Sequence, residues 1–373
     1  MEQSAEFDIF LVALPGLEPA LLDEAQALGL KGAHLTPGGV TVRGDWPEVW
    51  RANLWLRGAT RVVVRMGEFR AFHLAQLDKR ARKFPWADFL RKDVPVRVEA
   101  TCKASKIYHH KAAAQRVEKA IAEELGAQIS PEAGLRVMLR IEDNLCTLSI
   151  DSSGEPLHKR GHKQAMGKAP LRESMAALFL RQCGYDGRQV VMDPMCGSGT
   201  FVIEAAEIAA GLAPGRSRSF AFEDLAGFDR RAWDQMRVGA AMPQRIPAQR
   251  FHGSDRDAGA VRMATENAER AGVAEWCSFT QMPFSDLTPP EGAAPGLVMV
   301  NPPYGARIGN KKLLYGLYGA LGGVLKERFA GWRVGIVTSE GGLAKAMGLP
   351  FEAPGPVIAH GGLKVRFYTC QLG

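Results

Sequence analysis

The sequence predicts an α/β protein in which a C-terminal doubly wound, mostly parallel sheet follows two smaller α+β modules. Three observations carry that expectation. From about residue 165 onward, short apolar runs alternate with helix-length segments, the pattern of a parallel sheet with helical crossovers. Before about residue 155 the runs are shorter, and strands follow one another directly. The 373 residues are 46% hydrophobic and 23% charged, which supplies apolar material for more than one core. The modules are expected at 1–66, 67–155 and 156–373.

Taken in order, FDIFLVAL reads as a strand, PALLDEAQALGL as a helix, and the segment through GGVTVRG as two strands. WPEVWRANLWL then reads as a helix and RVVVRMGEF as a strand. That order is ferredoxin-like. A second unit begins near Gly67, with VPVRVEAT as a strand and IYHHKAAAQRVEKAIAEELG as a helix ended by Gly126. Its last two strands, GLRVMLRIED and NLCTLSID, meet at a turn over EDN. Along the helix Ala112, Val117, Ala120, Ile121 and Leu125 are expected to form the apolar stripe, leaving Lys111, Arg116 and Lys119 outside it.

The C-terminal zone alternates regularly. RQVVMD leads through a glycine turn into TFVIEAAEIAAG, and RFHGSD leads into AGAVRMATENAERAG. LVMVNPPY precedes LLYGLYGALGGVLKERF, RVGIVTSE precedes a short helix, and KVRFYTCQL closes the series. In such sheets ligands sit outside the carboxyl ends of the strands, so the chemistry is expected there.

Those ends hold the informative residues. DPMCGSGT (Asp193 to Thr200) combines a strand-ending acid with a tight turn at Gly197 and Gly199 and a helix N-terminus beyond them. Neither GxGxxG nor GxxxxGK[ST] occurs, so the dinucleotide and nucleoside-triphosphate versions of such a turn do not fit. In GSDRD, Asp255 is placed to accept hydrogen bonds from ribose hydroxyls, while Asp257 sits where a helix N-cap belongs. In NPPYG, the Asn301 side-chain oxygen and the Pro302 carbonyl can both accept from one exocyclic amino group. Such a nitrogen is a poor nucleophile, and two fixed acceptors would aim its lone pair at an electrophilic methyl. Pro302 and Pro303 stiffen the loop and remove competing donors, and Tyr304 offers a face for an extracted base.

Net charge is +7 and the distribution is uneven. Arg70 to Lys119 holds 13 Lys/Arg against 5 Asp/Glu, and His158 to Lys168 contains no acid. Nucleic acid is the expected partner for such patches. The six cysteines show no CxxC spacing, which argues for reduced, mostly buried thiols and against a metal site. No signal segment or apolar run of membrane-spanning length is seen, so a cytoplasmic protein is expected.

DPMCGSGT, GSDRD and NPPYG in this order resemble the S-adenosylmethionine-dependent amino-methyltransferases. KASKIYHHKAAAQRVEKAI (Lys103 to Ile121) resembles the THUMP RNA-binding domain. GEPLHKRGHK with APLRESMAALFL, and the terminal GGLKVRFYTCQL, resemble the RlmL-like family that methylates guanine N2 in 23S ribosomal RNA. The resemblance implies a ferredoxin-like module, a THUMP domain and a class I methyltransferase (Rossmann-like) domain, with S-adenosylmethionine as cofactor and no metal.

It also implies roles. Asp193, Met195, Cys196, Gly197, Gly199, Thr200, Asp255 and Asn301 would form the cofactor site. Asn301, Pro302, Pro303 and Tyr304 would hold the target base. Lys103, Lys106, Lys111, Arg116, Lys159, Arg160 and Lys163 would meet RNA, and Arg160 and Gly161 with Ala169 and Pro170 would close over the cofactor. After the third strand SFTQMPFSDL carries Pro283 where an acid commonly bonds the adenine amine, leaving Asp286 or a backbone carbonyl as the substitute. The NPPY motif does not separate adenine N6, guanine N2, cytosine N4 or a protein glutamine amide, so a transfer-RNA guanine-N2 enzyme and a DNA adenine-N6 methyltransferase stay open. The non-enzyme alternative is an RNA-binding ribosome-assembly factor with a vestigial site, against which the intact NPPY and glycine turn count. A cytosine-C5 enzyme is disfavoured, because no Pro-Cys pair follows the fourth strand.

Overall fold

The computed structural model describes residues 6–163, 171–304 and 311–373. Two compact units emerge. One comprises Met1–Val12, Glu24–Leu157 and Arg218–Gly239; the other comprises Ala13–Asp23, His158–Ser217 and Ala240–Gly373. No helix among the described residues is long and apolar enough to cross a membrane.

The chain begins with β1 (Phe7–Val12), α1 (Glu18–Ala27), β2 (His34–Thr36), β3 (Gly39–Gly44), α2 (Trp46–Trp55) and β4 (Arg61–Arg70). It continues through α3 (Leu74–Arg82), β5 (Val96–Lys103), α4 (His110–Glu124), β6 (Leu135–Glu142) and β7 (Leu145–Asp151). These strands form one seven-stranded sheet in the order β2-β3-β1-β4-β7-β6-β5. Only β5 and β6 pair in parallel, because the α4 crossover separates them. The boundary expected at Gly67 falls inside β4, where the register shifts between Arg65 and Gly67 and a Cβ on Gly67 would come within 2.9 Å of the Phe84 ring. A bulge thus carries the strand past the point where the sequence suggested a break. The apolar face of α4 is Ala113, Val117, Ala120 and Ile121, one residue away from the expected Ala112 at its start. Helix α3 is unforeseen in the sequence, since only Leu77 and Ala81 of its nine residues are buried.

The second half contains α5 (Glu173–Gln182), β8 (Val191–Asp193), α6 (Thr200–Ala210), α7 (Arg230–Ala241), β9 (Phe251–Asp255), α8 (Ala258–Ala271) and β10 (Cys277–Gln281). Then come β11 (Leu297–Val300), α9 (Lys311–Arg328), β12 (Arg333–Thr338), α10 (Gly341–Ala346), β13 (Ile358–His360) and β14 (Leu363–Gln371). Their sheet runs β10-β9-β8-β11-β12-β14-β13, parallel except at β14, which is antiparallel to both neighbours. Both faces are covered at the centre, where every residue of β8 and β11 is buried. Met299 and Val191 join Phe179, Phe201 and Phe367 on one side, while Met192, Val298 and Val300 join Leu321, Phe329 and Ile336 on the other.

Two segments cross the division that the sequence suggested. Residues 218–239 belong to the first unit, where Phe222 stacks on Trp50 at 6.1 Å and meets Trp233 edge-on at 4.9 Å. Arg218 donates there to the carbonyls of Ser153, Glu155 and Pro156. Conversely, Leu14 and Leu17 pack into the core of the second unit with Phe179 and Phe201.

Candidate active site

Strand order reverses between the paired neighbours β8 and β11, from which the chain continues into opposite halves of the sheet. That reversal opens a crevice at their carboxyl ends. Asp193 closes β8, Asp255 closes β9, and Asn301 follows β11, and a cavity of about 1010 Å³ lies against these ends.

The turn after β8 is built to bring backbone close to a ligand. Met195 N–H donates to Asp193 Oδ1 at 3.1 Å, Cys196 N–H to the Ser254 carbonyl at 3.0 Å, and Gly199 N–H to the Cys196 carbonyl at 2.8 Å. Gly197 and Gly199 have φ of +52° and +84°, the left-handed region where a side chain is strained. A Cβ on Gly199 would also lie 3.0 Å from the Ala264 Cβ, whereas one on Gly197 would meet nothing within 4 Å. With Gly199 as its N-cap, α6 has no side-chain cap and keeps first-turn amides available.

Two carboxylates flank this turn in different surroundings. Burial pushes the Asp193 carboxyl up to about 8, with the nearby Asp255 adding to the shift and the Met195 N–H opposing it. Asp255 is half-buried, and its oxygens accept from Gly197 N–H at 3.1 Å and Asp257 N–H at 3.0 Å. Each oxygen accepts one backbone hydrogen bond and has capacity for another, and Asp255 lines the cavity. Asp257 caps α8, accepting from Gly259 N–H at 2.8 Å.

The Asn301 Oδ1 atom is buried and has no hydrogen-bond partner among the described residues. A buried acceptor left unpaired costs about 1–3 kcal/mol, a cost that a donor reaching this oxygen would relieve. Pro302 is buried beside it, and Tyr304 is half-buried against both cores of the unit. Tyr318 of α9, which the sequence did not single out, donates its hydroxyl to the Pro303 carbonyl at 3.4 Å. Burial raises the pKa of that hydroxyl and so keeps it a donor.

Another part of the cavity lining is basic. His158, Lys159, Arg160, Arg172 and His360 border it. Burial, then the charges of Arg172, Arg160, Lys159 and Lys163, hold the His158 imidazole down to about 4. His360 is lowered for the same reasons, burial first and then Arg172 and Lys163. Both rings are therefore uncharged at neutral pH. The basic run at His158 was legible in the sequence, but Arg172 and His360 stood outside any chemical motif.

Several expected site residues fall elsewhere. Met195, Asp255, Asn301, Pro302, Pro303 and Tyr304 line the cavity. Asp193 and Cys196 are buried beneath the turn. Thr200 accepts a hydrogen bond from Lys163 Nζ at 2.9 Å. Lys163 also bonds the Leu171 carbonyl at 2.9 Å and pairs with Glu173 at 3.1 Å. Arg160 pairs with Glu204 of α6 at 3.4 Å, both side chains 1% exposed. The expectation that these two cations meet RNA is thus corrected: each is largely buried in an ion pair, Arg160 with Glu204 and Lys163 with Glu173. Asp286 is exposed and bonded by the Ser285 hydroxyl, and Pro283 and Phe284 take its place along the cavity. Lys103, Lys106, Lys111 and Arg116 are exposed on the first unit, and Lys159 is exposed on the second. Ala169, Pro170 and Gly305 lie outside the described residues.

Known proteins share this arrangement. A family model described as the RMKL-like methyltransferase domain matches residues 160–352, and one described as the RlmL ferredoxin-like domain matches residues 8–63. A putative RNA methyltransferase of Synechocystis sp. is 32% identical over 372 residues, covering 97% of this chain and 96% of its own length. The ribosomal RNA large subunit methyltransferase K/L of Syntrophotalea carbinolica is 35% identical over 362 residues, covering 92% of this chain and 51% of that protein. The chain thus spans about half the length of the K/L relatives it matches. The crystal structure of a putative methyltransferase complexed with SAH superimposes with a TM-score of 0.88 at 27% identity, covering 100% of this chain and 99% of that one.

The sheet order, the glycine turn and the strand-end residues define a Rossmann-like methyltransferase fold behind a ferredoxin-like domain. The chain belongs to the RMKL-like methyltransferase family.

Proposed function

We propose that this protein methylates an exocyclic amine of an RNA base, guanine N2 in 23S ribosomal RNA, by direct in-line transfer in the cytoplasm. The observation that carries the reading is the buried, unpartnered Asn301 Oδ1 at the end of β11, beside the cavity that the glycine turn also borders. The cofactor, S-adenosylmethionine, supplies an electrophilic methyl. Asn301 and the Pro302 carbonyl accept the two amine hydrogens and orient the nitrogen lone pair. Tyr304 stacks on the extracted base, and Tyr318 holds the loop through the Pro303 carbonyl. Asp255 would hold the cofactor ribose, Gly197 and Gly199 would admit its methionine part, and Asp193 would interact with that part.

The K/L relatives are named for large-subunit ribosomal RNA, which supports RNA over DNA as the substrate. Residues 67–155 are the proposed THUMP domain, with Lys103, Lys106, Lys111 and Arg116 meeting the RNA backbone. The test is incubation with labelled S-adenosylmethionine and unmodified 23S rRNA, total tRNA or duplex DNA, followed by mass spectrometry of the nucleosides. N2-methylguanosine in 23S rRNA alone is the expected product. The same nucleoside in tRNA would reassign the substrate, N6-methyladenine would move the protein to DNA, and no cofactor binding at all would leave an RNA-binding assembly factor.

A further inference from the structure

Resting on the RNA reading, we infer that Tyr108 is a stacking platform for an unpaired RNA base, with Phe72 and Lys106 forming the second half of the same single-strand contact. Tyr108 is 80% exposed and Phe72 41% exposed. A protein does not present a tyrosine to solvent without cost, and aromatic rings interleaved with cations are the chemistry that binds unpaired nucleotides.

The surrounding backbone is fixed so as to hold these rings out. After β5, Ala104 adopts φ +46°, an uncommon left-handed conformation for a residue with a side chain. The Ser105 hydroxyl donates to the Lys103 carbonyl at 2.7 Å and accepts from Asn144 N–H at 3.0 Å. Lys106 N–H donates to Asn144 Oδ1 at 2.9 Å, and Ala71 N–H donates to the Asn144 carbonyl at 3.0 Å. One turn residue, itself at φ +60°, therefore ties together the loop carrying Tyr108 and the segment carrying Phe72. Ile107, 4% exposed, anchors the loop from beneath and leaves Tyr108 on the outside.

Cations stand where phosphates would pass. Lys106 Nζ lies 5.6 Å from the Phe72 ring centroid, and Lys103, Lys111 and Arg116 are exposed nearby in sequence and fold. Lys103 pairs with Glu142 at 2.9 Å, and Glu142 also pairs with Arg140, so that carboxylate is already neutralised. Duplex RNA would meet the lysines but offers no base face to Tyr108. Partner choice follows: an unpaired strand or loop, read by stacking and charge without a base-edge code.

The test uses the full chain and fluorescence anisotropy with fluorescein-labelled decauridylate and a ten-base-pair RNA duplex. Tyr108→Ala is expected to weaken decauridylate binding at least about fivefold, the lower end of base–aromatic stacking, with the salt slope and duplex binding unchanged. Tyr108→Phe and Tyr108→Trp should retain wild-type affinity, because the ring face and not the hydroxyl makes the contact. Wild-type affinity in Tyr108→Ala, or a Phe variant as weak as the Ala variant, would overturn the inference. If wild type methylates RNA while Tyr108→Ala binds normally, only this inference falls. If wild type binds neither probe, the RNA reading falls with it.

Discussion

The proposed contact of Asp193 with the cofactor would give binding a pH dependence set by this residue. Its carboxyl is pushed up to about 8, first by burial and then by Asp255. At pH 7 only about a tenth of the free protein therefore carries Asp193 as a carboxylate, and each further unit down removes about tenfold more. The proposed ligand brings a positively charged methionine end, and binding then selects the ionised fraction. The sign is fixed: a raised acid pKa means affinity rises with pH and levels off above about 8. Between pH 6.0 and 7.5 the ionised fraction grows about twentyfold, and the apparent Kd should tighten by the same factor. The ligand's own amine stays protonated over most of that window, since α-amino groups titrate at about 7.7–8.0. Titration calorimetry at four pH values, in buffers of different ionisation heat, reads both the affinity and the proton released. Asp193→Asn should bind with a flat profile. A wild-type Kd that moves less than threefold, or an Asn variant with the wild-type slope, would refute the reasoning.

Three further outcomes follow from the geometry. Gly199→Ala must place a Cβ at φ +84° and 3.0 Å from Ala264, so cofactor affinity should fall and the melting free energy should drop by about 1–3 kcal/mol, checked by calorimetry and denaturant unfolding. Replacing Lys103, Lys106 and Lys111 by Gln should lower the slope of log affinity against log salt for single-stranded RNA by about 0.7 per engaged lysine. An unchanged slope would remove those lysines from the interface. Arg160→Met should cost about 3–5 kcal/mol of stability by leaving Glu204 buried without that partner, while the RNA salt slope stays at the wild-type value. A lost slope unit with intact stability would return Arg160 to the RNA-binding set.

Much of the C-terminal fold was legible because it rests on local signals. The strand ends at Asp193, Asp255 and Asn301 are marked by glycine and proline, and Asp257 caps α8 where its place before a helical pattern predicts. What was not legible depends on pairing across the chain. Arg160 and Lys163 look like solvated cations until Glu204 and Glu173 are folded against them. Residues 218–239 lie between β8 and β9 in sequence, yet Phe222 packs on Trp50 and Trp233 packs on Phe222. Asp286 was expected at the cavity from its spacing after β10, but the turn over Phe284–Asp286 directs Phe284 there and leaves Asp286 exposed. Helix α3 escaped notice because an apolar stripe of two residues is too thin to read as a period.

The central claim is that the Asn301 oxygen is an acceptor prepared for the reacting amine. It is tested most directly by comparing wild type and Asn301→Ala in single-turnover methyl transfer to the RNA substrate and in S-adenosylmethionine binding. The account predicts a transfer rate reduced about 10²–10³-fold, the usual loss on removing one preorganised dipole from a reacting centre, with cofactor Kd within about twofold of wild type. Equal losses in rate and cofactor affinity would make Asn301 part of the cofactor's seat alone and would contradict the account.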